Sequence, residues 1–238
     1  MLLQFEQRPS DSPFVERVWR SRSLSAGPFY SMAEPNLELV VARAGGAVQV
    51  ILRGPVTRAS LVDCPAGGEW LGVRFRLGTQ LARVPTTALI DHQSVALPSE
   101  GDGRFWLDRR WWDAPTYDSA EACVAALAGA GIITRDHLVA DVLGGDRAYA
   151  SLRSVQRRFL RATGLTREGF RQIERARHAA HLLQGGDSVL DVVDQAGYFD
   201  QPHLTRALRR LIGPTPSDLA RGQTQLSFLY KTTIPAWT

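Results

Sequence analysis

Nine arginines (Arg147, Arg153, Arg157, Arg158, Arg161, Arg167, Arg171, Arg175 and Arg177) stand against two carboxylates, Glu168 and Glu174, between positions 147 and 177. That local excess of seven exceeds the net charge of the whole chain, +4 over 238 residues. A second group, Arg206, Arg209 and Arg210, follows. A guanidinium presents a planar fork of donors that fits a phosphate or the edge of a guanine with two parallel hydrogen bonds, so the chemistry these residues suit is recognition of anions and bases. All basic residues but Lys231 are arginine, a bias that genomic base composition produces as well. The pI near 9.5 fits an acidic partner, although many soluble proteins without one are mildly basic.

Other chemistries find little support. Cys64 and Cys123 are far apart and form no Cys-x-x-Cys spacing, so neither a zinc ribbon nor a disulfide framework is expected; both read as buried thiols in a reducing compartment. A metal-dependent barrel enzyme needs several histidines and a glutamate on its strands, and the first 112 residues hold one histidine, His92. Catalysis and a cofactor are therefore not expected. His178 and His181 lie i, i+3 on a helical pattern; a metal site, a flank near phosphate and a solvated helix face are the alternatives, the last being the commonest. The first residues are interrupted by charge and lack a signal-peptide core, and no apolar run approaches the ~20 residues needed to span a bilayer. A cytoplasmic location is expected.

The elements that must position the arginines follow from periodicity. Asp187-Ser188 is suited to cap a helix whose Val189, Val192, Val193 and Ala196 form one apolar face. Gly197 supplies the positive φ of a tight turn, Asp200 caps the next helix, and Pro202 sits in its first turn, where a missing N–H costs nothing. Leu204, Leu208 and Leu211 then point inward, leaving Gln201, His203, Arg206, Arg209 and Arg210 outward or on the flanks. Periodicity alone fits an amphipathic helical hairpin with a solvated arginine face equally well. A weaker copy of the pattern, an arginine-rich helix closed by a glycine, runs from Ser151 to Gly164.

The first hundred residues read as β. Leu37 to Ala42 and Val48 to Leu52 flank Ala44-Gly45-Gly46-Ala47, which suits a hairpin. Trp70 to Leu77 alternates, with Leu71, Val73, Phe75 and Leu77 on one face and Gly72, Arg74 and Arg76 on the other, predicting a half-buried strand. Recurring Gly and Pro turns suggest a sandwich or barrel. From Ser119 the chain becomes alanine- and leucine-rich, and a helix there places Cys123, Leu127 and Ala130 on one face.

The string Gly197-Tyr198-Phe199-Asp200-Gln201-Pro202-His203-Leu204-Thr205-Arg206-Ala207-Leu208-Arg209-Arg210-Leu211-Ile212-Gly213-Pro214-Thr215-Pro216 closely resembles the signature of the AraC/XylS family of transcription regulators. The likeness extends upstream through Arg175 to Leu183, similar to the family's linker helix, and Ser154 to Phe159, similar to its first recognition helix; it covers roughly residues 134 to 221. The resemblance implies two helix-turn-helix units joined by a rigid helix. By position, Arg153, Gln156 and Arg157 would face bases in the first unit, with Ser154 and Arg158 nearer the backbone. In the second, Gln201, Pro202, His203 and Arg206 would face bases, and Thr205, Arg209 and Arg210 would reach phosphates. Val155, Phe159, Leu182, Leu183, Leu190, Val193, Phe199, Leu204 and Leu208 match core positions. The segment Gly144 to Ala150 is longer than the family's usual turn.

The N-terminal region resembles, more loosely, the cupin-like sensing domains that precede this module in many relatives. The implied layout is α+β and multidomain: a cupin-like regulatory barrel or sandwich over 1–112, a helical linker or dimerisation element over 113–134, an all-α double helix-turn-helix domain over 135–222 and an extension over 223–238. Trp70, Trp106, Trp111 and Trp112 would line an effector pocket or simply fill a core. The implied partners are double-stranded DNA and RNA polymerase, with a small-molecule effector and homodimerisation as further expectations. A regulator that binds no small molecule and uses its N-terminal domain for dimerisation or a protein partner is the alternative; an enzyme fused to a DNA-binding module is a more distant one.

Overall fold

Gly45 and Gly46 both adopt positive φ, 57° and 81°, the backbone a two-residue hairpin turn demands, and they join the strands predicted on either side. The computed structural model describes residues 3–91, 95–101, 103–144 and 151–222. In chain order its elements are β1 (Leu3–Pro9), β2 (Val15–Ser23), β3 (Gly27–Ser31), β4 (Glu38–Ala44), β5 (Ala47–Arg53), β6 (Ser60–Cys64), β7 (Glu69–Phe75), β8 (Thr79–Leu81), β9 (Val95–Leu97), β10 (Arg104–Leu107) and β11 (Arg110–Asp113). Then follow α1 (Ala120–Gly129), β12 (Ile133–Arg135), α2 (His137–Gly144), α3 (Leu152–Thr163), α4 (Arg167–Gln184), α5 (Val189–Gln195), α6 (Gln201–Leu211) and α7 (Pro216–Ala220). An antiparallel sheet region precedes a run of helices, an α+β layout.

The chain divides into two compact units. The first comprises residues 1–26, 35–55 and 65–167. Its main sheet has six antiparallel strands in the order β1-β2-β7-β4-β5-β9. Val15, Val18, Leu39, Val41, Val50, Leu71, Val73 and Phe75 build its core with Phe105 and Trp112 of the β10–β11 hairpin. Full burial of each such side chain is worth about 1.5–3 kcal/mol. Helix α1 adds Ala120, Val124 and Leu127 to that core. Its buried stripe is therefore shifted from the predicted one: Cys123 is half-buried and Ala130 exposed.

Strand β7 also departs from expectation, since Gly72 and Arg74 are buried along with Leu71, Val73 and Phe75. Gly72 pairs with Trp19 of β2, and the indole lies where a Cβ at position 72 would fall, 2.0 Å from its nearest atom. Glu38 of β4 accepts from Arg74 Nε at 3.1 Å and from Trp19 Nε1 at 3.4 Å. A large indole and a buried ion pair cover the face that alternation assigns to solvent. The four tryptophans are divided: Trp112 is buried, Trp106 and Trp111 stack edge to face at 5.3 Å and stay partly exposed, and Trp70 lies on β7 beside Gly68.

The second unit comprises residues 27–34, 56–64 and 168–238. Its strands β3 and β6 pair antiparallel, from Gly27 opposite Cys64 to Ser31 opposite Ser60. The backbone N–H groups of Ala33 and Ala59 donate to the carbonyls of Leu211 and Arg210, at 2.7 and 2.9 Å. These carbonyls end α6 and have no partner within the helix, so the strand segments supply the donors that a helix C-terminus lacks. Among the described residues, no helix is long and apolar enough to cross a membrane.

Candidate nucleic-acid interface

Helix α6 forms where its local signals place it. Asp200 adopts extended backbone and its Oδ1 accepts from His203 N at 2.7 Å, and Pro202 occupies the first turn. Ser188 caps α5 in the same way, and Gly197 (φ 66°) makes the turn between the two helices. Val192, Val193 and Ala196 of this segment are buried against solvent, as are Leu204, Leu208 and Leu211 of α6. Opposite that apolar stripe Gln201, Pro202, Arg206, Arg209 and Arg210 are exposed, while His203 and Thr205 lie half-buried on the flanks. Thr205 Oγ1 donates to the Gln201 carbonyl at 2.9 Å. The chain leaves α6 through Gly213 (φ 111°) and enters α7 through a Thr215/Asp218 capping box.

Two residues matched to core positions are not buried: Leu190 is 71% and Phe199 90% exposed. The neighbouring Tyr198, 6% exposed, fills the interior place at the turn, and Phe199 projects outward immediately before the N-cap of α6. Leu182 is half-buried, and Val155, Phe159, Leu183, Val193, Leu204 and Leu208 are buried.

Helix α3 repeats the design. Ser151 Oγ accepts from Ser154 N, and Gly164 (φ 75°) closes the helix with its N–H on the Leu160 carbonyl at 2.8 Å. Val155, Phe159 and Ala162 are buried; Arg153, Gln156 and Arg157 are exposed at i, i+3 and i+4, on one face with the exposed Leu160. Ser154 is half-buried. Arg158 is exposed but engaged, donating to both oxygens of Asp136 at 2.7 and 3.2 Å. The same carboxylate caps α2 by accepting from Leu138 N at 3.0 Å. The long segment expected to separate α2 from α3 lies, at positions 145–150, outside the described residues, as do His92 and the extension from Gln223.

The basic run is not uniformly outward. Arg177 is 4% exposed and donates to Glu34 Oε2 at 2.9 Å, with Glu174 at 3.9 Å. Arg175 lies over the Tyr198 ring, 4.5 Å from its centroid, and donates to the Gly197 carbonyl at 3.3 Å. Burial pushes the Tyr198 phenol upward and Arg175 draws it partly back, so the hydroxyl keeps its proton at neutral pH. Burial lowers His178, with His181 adding to the effect, which keeps His178 neutral there. Among the described residues, no three His, Cys, Asp or Glu side chains gather as a metal site would require. Cys64 is buried, and burial raises the Cys123 thiol to about 11.

What α6 and α3 can do chemically is lay an exposed row of guanidinium and amide groups, on a rigid capped helix, against a polyanion with readable edges. Residues 145–222 match the family model described as a helix-turn-helix domain. The HTH-type transcriptional regulator RipA of Corynebacterium glutamicum is 40% identical over 73 residues, which are 31% of this chain and 22% of that protein. The chain thus spans about a fifth of the length of that relative. No solved structure matches the chain. The two matches support an AraC-type helix-turn-helix region and DNA-binding transcription regulation, a family role that is generally not enzymatic.

Proposed function

We propose that the protein is a sequence-specific transcription regulator that reads double-stranded DNA with α3 and α6 as the recognition helices of two helix-turn-helix units. The observation that carries this reading is α6 itself: capped at its N-terminus, buried along Leu204, Leu208 and Leu211, and exposed along Gln201, Pro202, Arg206, Arg209 and Arg210. The N-terminal residues of a recognition helix contact base edges, and Arg and Gln pair with guanine and adenine. In this reading Gln201, Pro202, His203 and Arg206 face bases, and Thr205, Arg209 and Arg210 hold phosphates. On α3 Arg153, Gln156 and Arg157 face bases while Ser154 and Arg158 lie nearer the backbone. RNA polymerase is the expected partner once the protein is seated on a promoter.

In this reading the sheet-rich region is a cupin-like regulatory domain. Its interior favours one role over another. Val18, Val41, Val50, Val73, Phe75 and Phe105 are at most 1% exposed and fill the core with the chain's own side chains, which supports a domain that engages a second copy or a protein partner over one that encloses a small-molecule effector.

Selection of DNA from a random pool by the purified protein tests the proposal. Two half-sites about 10 base pairs apart are expected if both helices read bases. Recovery of a single half-site would assign reading to one helix alone, and recovery of no common sequence would refute the proposal.

A further inference from the structure

The β10–β11 hairpin of the first unit leaves an aromatic face and a strand edge open among the described residues. Its turn residues Asp108 and Arg109 both adopt positive φ, 49° and 67°, as a two-residue hairpin turn demands. Phe105 and Trp112 face the core, so the next residues along each strand, Trp106 and Trp111, face outward and directly oppose each other. The two indoles meet edge to face with centroids 5.3 Å apart, a cross-strand pair that steadies the hairpin. Each ring is still 38% exposed, so hairpin stability alone does not account for two large apolar groups held on one outward face. The backbone beside them is open as well. Ala114 N–H donates to the Gly103 carbonyl at 2.7 Å, which fixes the ladder: Gly103/Ala114, Phe105/Trp112 and Leu107/Arg110 are the hydrogen-bonded pairs, and Trp106 and Trp111 turn their peptide groups away from each other. Those of β10 are met, since Trp106 N–H donates to the Pro98 carbonyl at 2.7 Å and the Arg104 carbonyl accepts from Glu100 N–H at 2.8 Å. The N–H and C=O of Trp111 have no such partner among the described residues, because β11 pairs with β10 alone. An open edge beside exposed apolar rings is a template for another strand.

We infer that this edge is where two copies of the chain meet, β11 of one pairing antiparallel with β11 of the other around a twofold axis beside Trp111. The inference rests on the second-copy role read above for the sheet-rich region, and it does not depend on DNA. Charge selects both the occupant and the register. In a pair centred on Trp111, that residue stands opposite its own equivalent, and the outward N–H and C=O of each satisfy those of the other. The same register sets Asp113 opposite the partner's Arg109, and Arg109 opposite the partner's Asp113. Both residues are exposed, and neither makes an ion pair among the described residues, whereas their neighbours Arg104 and Asp108 are already engaged with Glu100 and Arg83. Two opposite-charge pairs therefore form that a single copy leaves open. A register centred on Trp112 instead would need the Asp113 carbonyl, which already accepts from Cys123 Sγ at 3.7 Å, and would give neither charge a counterpart. On the outward face the chosen register brings four indoles into one row, the residue type that most often anchors a protein interface.

Sedimentation velocity of the full chain without DNA, over a range of concentrations, tests the surface. Wild type should show a concentration-dependent equilibrium between monomer and dimer. Arg109→Asp, a residue tolerated at that φ, and Asp113→Arg, at an exposed strand position, should each weaken association roughly tenfold or more, because each sets like charges opposite each other twice. An equimolar mixture of the two variants should restore it, since every charge then meets its opposite across the interface. A hairpin merely damaged by substitution could not give that recovery. As a separate measurement, Trp111→Cys should form a disulfide between copies on mild oxidation, because directly opposed residues of a hydrogen-bonded pair lie about 5.5 Å apart at Cα, within disulfide reach. Asp113→Cys, displaced along the strands from its own equivalent, should not, and neither should wild type through Cys64 or Cys123. A dimer that neither reversal weakens, that the mixture fails to restore, or that Trp111→Cys fails to cross-link would overturn this surface and leave the second-copy role standing. A chain that stays monomeric at every concentration would overturn both, and DNA selection would still decide the reading by α3 and α6.

Discussion

Removing one partner of the Arg177–Glu34 pair is the perturbation whose size the structure bounds most closely. Both side chains are nearly out of water, 4% and 9% exposed, and Arg177 Nη1 approaches Glu34 Oε2 to 2.9 Å. Breaking such a pair leaves one charge buried without compensation, which costs about 3–5 kcal/mol. Glu174, at 3.9 Å from Arg177 Nε, offsets part of this when Glu34 is the residue removed. Glu34→Ala should therefore fall near the lower end and Arg177→Ala near the upper, since the second removes the donor 2.9 Å from the buried Glu34 carboxylate and the cation beside Glu174 together. For a chain of this size each kcal/mol moves the melting temperature by about 2–4 °C, so shifts of roughly 6 to 20 °C are expected. The double variant Glu34→Leu/Arg177→Met should recover most of the loss, because apolar residues of similar volume replace a buried pair at little or no net cost. Thermal and urea melts followed by circular dichroism, combined as a double-mutant cycle, give the coupling. Single variants that each cost under about 1 kcal/mol, or a double that equals their sum, would refute the reasoning.

Other expectations concern DNA reading, backbone and pH. Arg157→Ala and Arg206→Ala should each weaken the selected site by about 1–3 kcal/mol and relax base preference, whereas Arg210→Ala should weaken all sequences alike and lower the salt slope, as read in a mobility-shift series. Gly213→Ala combines a φ of 111° with a Cβ 2.2 Å from the Tyr30 ring and should lower the melting temperature more than Gly197→Ala, where φ is 66° and the space is open. Phe199→Ser should leave stability within about 0.5 kcal/mol, whereas Tyr198→Ala should cost about 3–5 kcal/mol in a chemical melt. Arg8 donates to both oxygens of Glu121 at 2.5 and 2.7 Å, and this holds the carboxyl down to about 2 against an ordinary 4.5. A depressed carboxyl stabilises the fold above its unfolded value and loses that contribution as pH falls toward 2. Glu121→Gln should thus cost on the order of 1 kcal/mol at pH 7, allowing for the partial exposure of the pair, and the difference should disappear in acid melts near pH 2.

The features legible in the sequence are those written locally. Gly45-Gly46 announces the β4–β5 hairpin; Ser188, Gly197, Asp200 and Pro202 bracket α5 and α6; Ser151 and Gly164 bracket α3. Each is a capping or turn residue whose effect is exhausted within a few positions. What escaped depends on partners distant in the chain. Gly72 and Arg74 read as a solvent face because Trp19 and Glu38, which cover them, belong to other strands. Arg177 counts as surface charge until Glu34, 143 positions away, is set beside it. Phe199 matches a core position only through the family resemblance; two aromatics stand side by side at that turn, and only one occupies the interior place. Tyr198 takes it, 6% exposed, with the Arg175 guanidinium over its ring.

The Ala33 and Ala59 donors to the end of α6, and Glu34 beside Arg177, bear on how this protein can be dissected. A helical fragment begun at residue 135 carries the signature in full, yet it discards the strands that terminate α6 and the carboxylate that neutralises Arg177. Such a fragment should fray at the C-terminal end of α6 and leave the Arg177 guanidinium without the carboxylate of Glu34. If the proposed function holds, DNA affinities measured on such a fragment should fall below those of the full chain, and residues 27–34 and 56–64 belong with the helices in any minimal piece.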